Sequence, residues 1–499
     1  MLGTDQDPWA ASTASCQALQ ARLSGPDTAG LTHAELEDML RSEGREFIRL
    51  LLQDRLDLQA RREQKLQGVV DAEGVRRGSA VSGQVRTLTT IFGDVRVRRI
   101  AYRQRGFGNL FPADAQLNLP EEQYSHGLRR LVAIAASQAS FAEAVEGVRE
   151  ATAAPAAEIP KRQVEELGQR AAVDFDRFYA QAERPAATAA AVLALSFDGK
   201  GIVMHPAALR ADTAAAAAQS TPKLATRLSK GEKADRKRMA EIAAVFDVQP
   251  VPRTPADILG VPDRPQTPAP VTTGKWVTAS VVTDSGTVVG QGFDEAQRRD
   301  PAHRRTWLVL VDGNNDQLKH IRAQARARGV QPVILLDFIH VLEYLWKAAW
   351  CFFPAGSPDA EAWVRDKGLD VLAGKAALVG AAVRRKATYA RLAPDKRKDA
   401  DACANYLHRQ RSYLDYPTAL SRGWPIATGV IEGTCRHLVK DRMDITGARW
   451  GLDSAEAVLK IRALRTNGDF ARYWTYHLAQ EQRRVHEQCY AGQVIPRPK

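Results

Sequence analysis

The sequence is short of the features that mark secreted or membrane-spanning chains. Its five cysteines (Cys16, Cys351, Cys403, Cys435, Cys489) are scattered through 499 residues, odd in number and without a C-x-x-C pair. This argues against a disulfide framework and against a cysteine zinc site. No apolar run approaches the ~18 residues of a membrane span, so no membrane association is expected. The N-terminus MLGTDQDPWA lacks the basic-then-apolar pattern of an export signal, and a cytoplasmic protein is expected. Acidic residues are also short, 58 against 70 Lys and Arg, for a net charge of +12. A basic excess of this size favours a polyanionic partner, nucleic acid first. Hydrophobic (44%) and charged (26%) contents are ordinary for a globular chain. The length allows roughly two to four domains.

Residues up to about 30 are rich in Ala, Ser, Thr and Gln, and poor order is expected there. Thr32-x-x-Glu35 then opens a long helix through LTHAELEDMLRSEGREFIRLLLQDRLDLQARREQK, suited to packing or dimerisation. VRTLTTIFGDVRVRRIAYR predicts a hairpin turning at Gly93-Asp94. Arg96 and Arg98 share one face of its second strand, either as a ribbon along a phosphate backbone or as a solvated sheet face. From Ser125 the pattern predicts three short helices, the third starting at Pro160 and carrying Lys161, Arg162, Gln163 and Arg170. Such a unit resembles a helix-turn-helix that contacts DNA; a plain packing element is the alternative.

An Ala/Pro-rich linker, ERPAATAAA, leads to the strand AVLALSFDGKGIVM, with Asp198 expected at its end. An Ala-rich stretch, a basic run (LSKGEKADRKRM), a strand-like run (AEIAAVFDVQPV) and a Pro-rich loop follow. TASVVTDSGTVVG suggests a hairpin or strand pair, and FDEAQRRDP a short helix. Trp307–Val311 and Val333–Leu336 are apolar strands ending in Asp312 and Asp337 and joined by a helix of about a dozen residues, a βαβ unit. Its carboxyl edge is where open α/β sheets place their chemistry.

The helix after Asp337 is apolar nearly all round, which predicts burial. Asp337, His340, Glu343 and Lys347 form one polar stripe on it. Beyond Cys351 the chain is helical and basic up to Gly423-Trp424-Pro425, and Thr428 then caps the helix VIEGTCRHLVKDRM. Glu432 near its start shares a face with Arg436 and Lys440. Asp198, Asp312 and Glu432 are each ordinary alone. Together, carboxylates at a sheet edge repel unless a cation joins them, and hard oxygen donors suit Mg²⁺ or Mn²⁺. Two such ions ~3.5–4 Å apart can activate a water or a 3′-hydroxyl against a phosphodiester.

The ordered segments LSFDGKG, LVLVDGNNDQ, ILLDFIHVLEYLW and ATGVIEGTCRHLVKDRMDITGARW resemble the ISKra-type insertion-sequence transposases, relatives of the Mutator-like group. RKRMAEIAAVFDV, FDEAQRRDP and TIFGDVRVRRIAYR extend the resemblance from about Phe92 to Trp474. It implies an α/β RNase H-like catalytic domain, a mixed sheet flanked by helices with an all-α insertion. It also implies an unbroken acidic triad of Asp198, Asp312 and Glu432 holding two Mg²⁺ or Mn²⁺ ions. The Asp-x-x-His signature falls on Asp337 and His340, giving them a site-supporting role. Trp450, beside Arg449 and Arg442, would stack on an unpaired base near the cut or sit in the core. The partners implied are double-stranded DNA, as terminal inverted repeats and target, and further copies of the chain. A transposase-derived DNA-binding protein and a structure-specific nuclease without strand transfer are the alternatives.

The expected organisation is a helical segment (1–65), a hairpin region (66–120), a helix-turn-helix-like DNA-binding domain (121–184), a first catalytic part (185–345), the helical insertion (346–421), a second catalytic part (422–475), and a C-terminal helix and tail (476–499).

Overall fold

A computed structural model describes residues 7–152, 159–184, 192–219, 224, 226, 235–260, 267–427, 429–445 and 447–498. The chain divides into two compact units: Met1–Ala180 with Gly468–Lys499, and Gln181–Asn467.

In the first unit, the expectation of poor order near the N-terminus is overturned for the described residues. Ala10–Leu23 is a helix packed on the helix His33–Arg62. Its Ala and Gln content suits a helix, and Ser12 N donates to the buried Asp54 carboxylate at 2.9 Å. His33–Arg62 starts at the Thr32/Glu35 capping box, with both reciprocal bonds present. The hairpin pairs β1 (Ser79–Thr90) with β2 (Gly93–Arg103). Thr90 pairs with Gly93, so the turn residues are Ile91-Phe92, two residues earlier than expected.

β2 is an edge strand, and unpaired edges invite association. Here the long helix closes it. Gln53 presents its side-chain amide as a strand residue would, donating to Arg96 O (2.9 Å) and accepting from Arg96 N (2.7 Å). Arg49 donates to Asp94 O, and Glu63 accepts from Ile100 N at 2.9 Å.

Three helices follow, His126–Gln138, Phe141–Thr152 and Lys161–Ala171, around Leu128, Val132, Val148, Val164 and Leu167. Ser125 caps the first, and Ser140 and Glu143 exchange bonds at the second. Pro160 occupies the N-cap of the third; residues 153–158 of the preceding loop lie outside the described residues.

The C-terminal boundary falls at Gly468 rather than after 475, because Phe470–Glu481 packs into the first unit. Tyr473 donates to Ala171 O, and the buried His477 meets Asp174 at 2.7 Å. Arg129, fully buried, pairs with Glu481. Near the chain end, Tyr490 bridges to Asp71.

The second unit holds a mixed five-stranded sheet: β3 (Val192–Val203), β4 (Lys237–Gln249), β5 (Val271–Ser280), β6 (Trp307–Val311) and β7 (Val333–Leu336). The spatial order is β5-β4-β3-β6-β7, with β4 antiparallel to β3 and β5, and β6 parallel to β3 and β7. β3 and β6 are buried along Val192–Phe197 and Trp307–Val311, which explains their continuous apolar runs. The linker at 185–191 and most of the basic run before β4 (227–234) lie outside the described residues.

The expected hairpin in TASVVTDSGTVVG is one strand and the start of a helix. Asp284 caps Ser285–Arg299, accepting from Thr287 N at 3.0 Å, and GTVVG is its first turns. The valines misled because their β preference yields to packing: Val288, Val289, Phe293 and Ala296 form the buried face. Gly292 permits the close approach, since a Cβ there would stand 2.7 Å from the Phe197 ring. The FDEAQRRDP segment continues this helix and is structural. Buried Glu295 pairs with Arg184, Arg298 and Arg299, while Arg299 and Arg305 both pair with Asp247.

The helix Asn315–Ala327 joins β6 to β7. Phe338–Ala349 is only half-buried, correcting the expectation of burial all round: Ile339 and Trp350 are exposed. The insertion is helical as expected, through Pro358–Leu372, Ala376–Tyr389, Lys398–Arg409 and Tyr416–Ser421. The helix Leu452–Thr466 lies on β5. Asn467 then closes this sheet's edge as Gln53 closes the other, accepting from Val277 N (2.8 Å) and donating to Val277 O (3.0 Å).

Two outcomes are expected. Asn467→Asp keeps the shape but turns the donor into a second acceptor facing the Val277 carbonyl. It should lower unfolding free energy by about 1–3 kcal/mol in urea titrations; an unchanged midpoint would refute the edge-closing role. Burial pushes the Glu63 carboxyl up to about 7 from an ordinary value near 4.5, the Ile100 hydrogen bond opposing. A raised carboxyl favours the folded state most when neutral, so this contribution is complete below about pH 4.5 and is lost as pH rises through about 7. Glu63→Gln should therefore flatten the decline in melting temperature between pH 5 and 8.

Candidate active site

Asp198 lies inside β3, correcting the expectation that it ends the strand. β3 runs on to Val203 because its antiparallel partner β4 is equally long, pairing from Val192↔Val248 to Val203↔Lys237. The parallel partner β6 is short, and its ladder stops at Ser196↔Leu310. Asp198 and Asp312 each stand two residues beyond that last pair. With a side-chain period of two, Asp198 takes the face of Ser196 within β3, while Asp312 is the first residue past the end of the neighbouring strand β6. Both are half-buried. Asp198 accepts from its neighbour Gly199 N (2.7 Å), and Asp312 accepts from Asn314 N (2.9 Å). Among the described residues neither makes an ion pair.

The Glu432 segment comes to this face. Gly429–Thr434 is α-helical and packs on β3 and β4. Thr428, the expected cap, lies outside the described residues. The expected uninterrupted helix changes hydrogen-bonding register at Cys435–Lys440, a π-helical turn of a kind frequent at functional sites. Cys435 at its start donates its thiol to Asp198 Oδ2 at 3.0 Å. Burial, then the nearby Asp198 carboxylate, pushes this thiol well above its ordinary range, so it remains the donor. Glu432, one turn earlier and exposed, is close enough to add to that effect.

Asp337 is divided from Asp312. It is buried and caps Phe338–Ala349 through Ile339 N at 2.8 Å. His340 stands 3.5 Å from Glu343 and packs edge-on against Tyr344 and Tyr406. The polar stripe is thus a structural support beside β6.

Reasoning on sequence missed three participants. Glu241 on β4 lies directly across from Gly199. Burial raises its carboxyl, a hydrogen bond from Ser285 opposes this, and the Asp198 charge adds to it. Its signal was a lone acid within the apolar run AEIAAVF. Cys435 and Tyr406, whose hydroxyl donates to Asp312 O, carried no signal, because each meets its aspartate only across the fold.

The basic residues separate by environment. In the first unit Arg96, Lys161 and Arg162 are exposed, Arg162 pairing with Glu166, while Arg98 is drawn to Asp57 at 2.6 Å and Arg170 pairs with Glu122. In the second unit Arg436, Lys440 and Arg449 are exposed, with Arg436 3.9 Å from Asp441 and Arg449 3.0 Å from Asp235. Arg442 and Trp450 take the core alternative. Both are buried, the guanidinium lies 4.6 Å over the indole, and the indole N–H donates to Met443 O.

As for a metal, the donors fit a hard cation in kind: Asp198 and Asp312 are carboxylates in β3 and just past the neighbouring β6, and Glu432 is an acid on the segment that touches Asp198. Among the described residues no three His, Cys, Asp or Glu side chains already form an ion cage. No protein-family model matches the chain, and no curated protein matches its sequence.

The turn after Asp312 depends on Gly313, whose φ is +94° and whose Cβ, if present, would stand 3.1 Å from Leu336 Cδ2. Gly313→Ala should cost about 1–2 kcal/mol or more in denaturant unfolding. Gly433→Ala, in the helix and with open space around it, should be neutral or stabilising by up to about 1 kcal/mol. Equal effects at the two positions would overturn this account of the turn.

Proposed function

We propose that this chain is a DNA transposase of a bacterial insertion sequence, with an RNase H-like catalytic core in its second unit. The observation that carries the reading is the β3–β6 pairing, beyond whose last pair Asp198 and Asp312 each stand by two residues, with the Glu432 segment bonded to Asp198 through Cys435. The mixed sheet flanked by helices and the helical insertion ahead of Glu432 support it. The chain's excess of basic residues supports a DNA partner.

Asp198, Asp312 and Glu432 would hold Mg²⁺ or Mn²⁺, and two bound ions would supply Lewis-acid activation of the attacking oxygen and stabilisation of the leaving one. Asp198 presents its carboxylate from within β3 and Asp312 from the turn just past β6, and the neutral Cys435 thiol fixes one oxygen of Asp198. Arg436, Lys440 and Arg449 offer exposed cations to the phosphate backbone. Water attacks a phosphodiester at the element end, breaking the bond to the 3′ oxygen and freeing a 3′-hydroxyl. That hydroxyl attacks a target phosphodiester and displaces its 3′ oxygen, joining element to target. In the first unit Arg96, Lys161 and Arg162 would contact the terminal inverted repeats, and a pair of ends calls for more than one copy of the chain.

The test is nicking and joining of the DNA that borders the coding region, with Mg²⁺. Asp198→Ala and Asp312→Ala should each slow cutting on the order of 10²-fold or more while end binding persists. Cutting by Asp198→Ala at the wild-type rate would refute the site. Cut but never joined products would point instead to a nuclease using the same acids.

A further inference from the structure

The β6–β7 ladder ends at Val311↔Leu336, so the carbonyls of Asp312 and Gly313 lie beyond the last sheet pair. The helical insertion supplies what the sheet does not. Tyr406, near the end of Lys398–Arg409, donates its hydroxyl to Asp312 O at 2.9 Å. Gln410, the residue after that helix, donates its amide to Gly313 O at 3.1 Å. Both side chains are packed against the turn: a Cβ on Gly313 would stand 3.4 Å from Tyr406 Oη and 3.5 Å from Gln410 Nε2. One strand over, Tyr416 repeats the device, donating to Leu336 O at 3.0 Å.

Tyr406 is itself held. Its ring stacks on Tyr344 with centroids 4.1 Å apart and planes 12° from parallel, and His340 stands edge-on to both rings at 5.4 and 5.8 Å. His340 of the polar stripe thereby gains a physical role, because with Tyr344 it packs against the tyrosine that bonds the Asp312 backbone.

The geometry points to Tyr406 and Gln410 as positioning residues for Asp312, with His340 and Tyr344 holding Tyr406 in place. The insertion, far along the chain from β6, sets where the Asp312 carboxylate stands relative to Asp198. A carboxylate whose backbone drifts by a fraction of an ångström holds a cation less well. This inference rests on the proposed metal-dependent site.

The experiment uses the full chain with Tyr406→Phe, which removes one hydroxyl and keeps the ring stack, and Gln410→Ala as a second variant. Tyr389→Phe, on the insertion and 80% exposed, is the control. Free Mn²⁺ is followed by electron paramagnetic resonance, and amide exchange is measured on the peptide spanning Gly313–Asp316. Loss of one neutral hydrogen bond should weaken Mn²⁺ binding by about fivefold and speed exchange in that peptide. End-DNA affinity should not change, raised Mg²⁺ should restore cutting, and the control should match wild type. Wild-type Mn²⁺ affinity in Tyr406→Phe and Gln410→Ala, whether exchange is altered or not, would overturn the inference. Failure of the underlying reading looks different: Asp312→Ala would then bind Mn²⁺ as well as wild type, and exchange alone would decide whether Tyr406 holds the turn.

Discussion

Parallel pairing between β3 and β6 is the constraint on which the second unit turns. β3 is the central strand, buried along its first half, and it serves two partners of unequal length. The long antiparallel partner carries it past the point where the short parallel partner stops. Asp198 stands at that step in the sheet. There it is still held in extended geometry on one side, while its other side is open to Asp312 and to the segment of Glu432.

A second theme is how this chain finishes hydrogen-bond ladders. Where a sheet has an edge or an end, a polar side chain takes the place of the missing strand. Gln53 does so for Arg96 and Asn467 for Val277, each with a reciprocal pair of bonds. Tyr406, Gln410 and Tyr416 do so for carbonyls at or beyond the ends of β6 and β7. The reason is general: a backbone group removed from water without a partner costs about as much as a lost hydrogen bond, and a primary amide can satisfy a donor and an acceptor at once. In the second unit this requirement also bonds the helical insertion to the backbone of Asp312 and Gly313.

Much of the fold was legible residue by residue. β6, β7, the capped helix from His33 and the helices of the insertion were all visible in local pattern, because long apolar runs, capping boxes and helical periodicity are local signals. Misreadings came where tertiary contact overrode propensity. The valines of GTVVG entered a helix because Asp284 caps it and Gly292 lets it close on Phe197. The N-terminal helix was missed because its hydrophobic pattern is weak and its partner is a separate helix. Trp450 could serve DNA or core on sequence grounds and Arg442 was expected to contact DNA, and burial of their mutual stack placed both in the core.

The sequence by itself determined the apolar strands β6 and β7, the capped helix from His33 and the helical character of the insertion, since those depend on neighbours a few residues away. Only the tertiary structure decided that Asp198 and Asp312 stand in and just past neighbouring strands, and that Cys435 and Tyr406 reach these two aspartates. Each of those facts is a contact between residues tens to hundreds of positions apart, made by strand register and helix docking. The stretch around β6 and β7 thus announced its carboxyl edge in one dimension and acquired its supports in three.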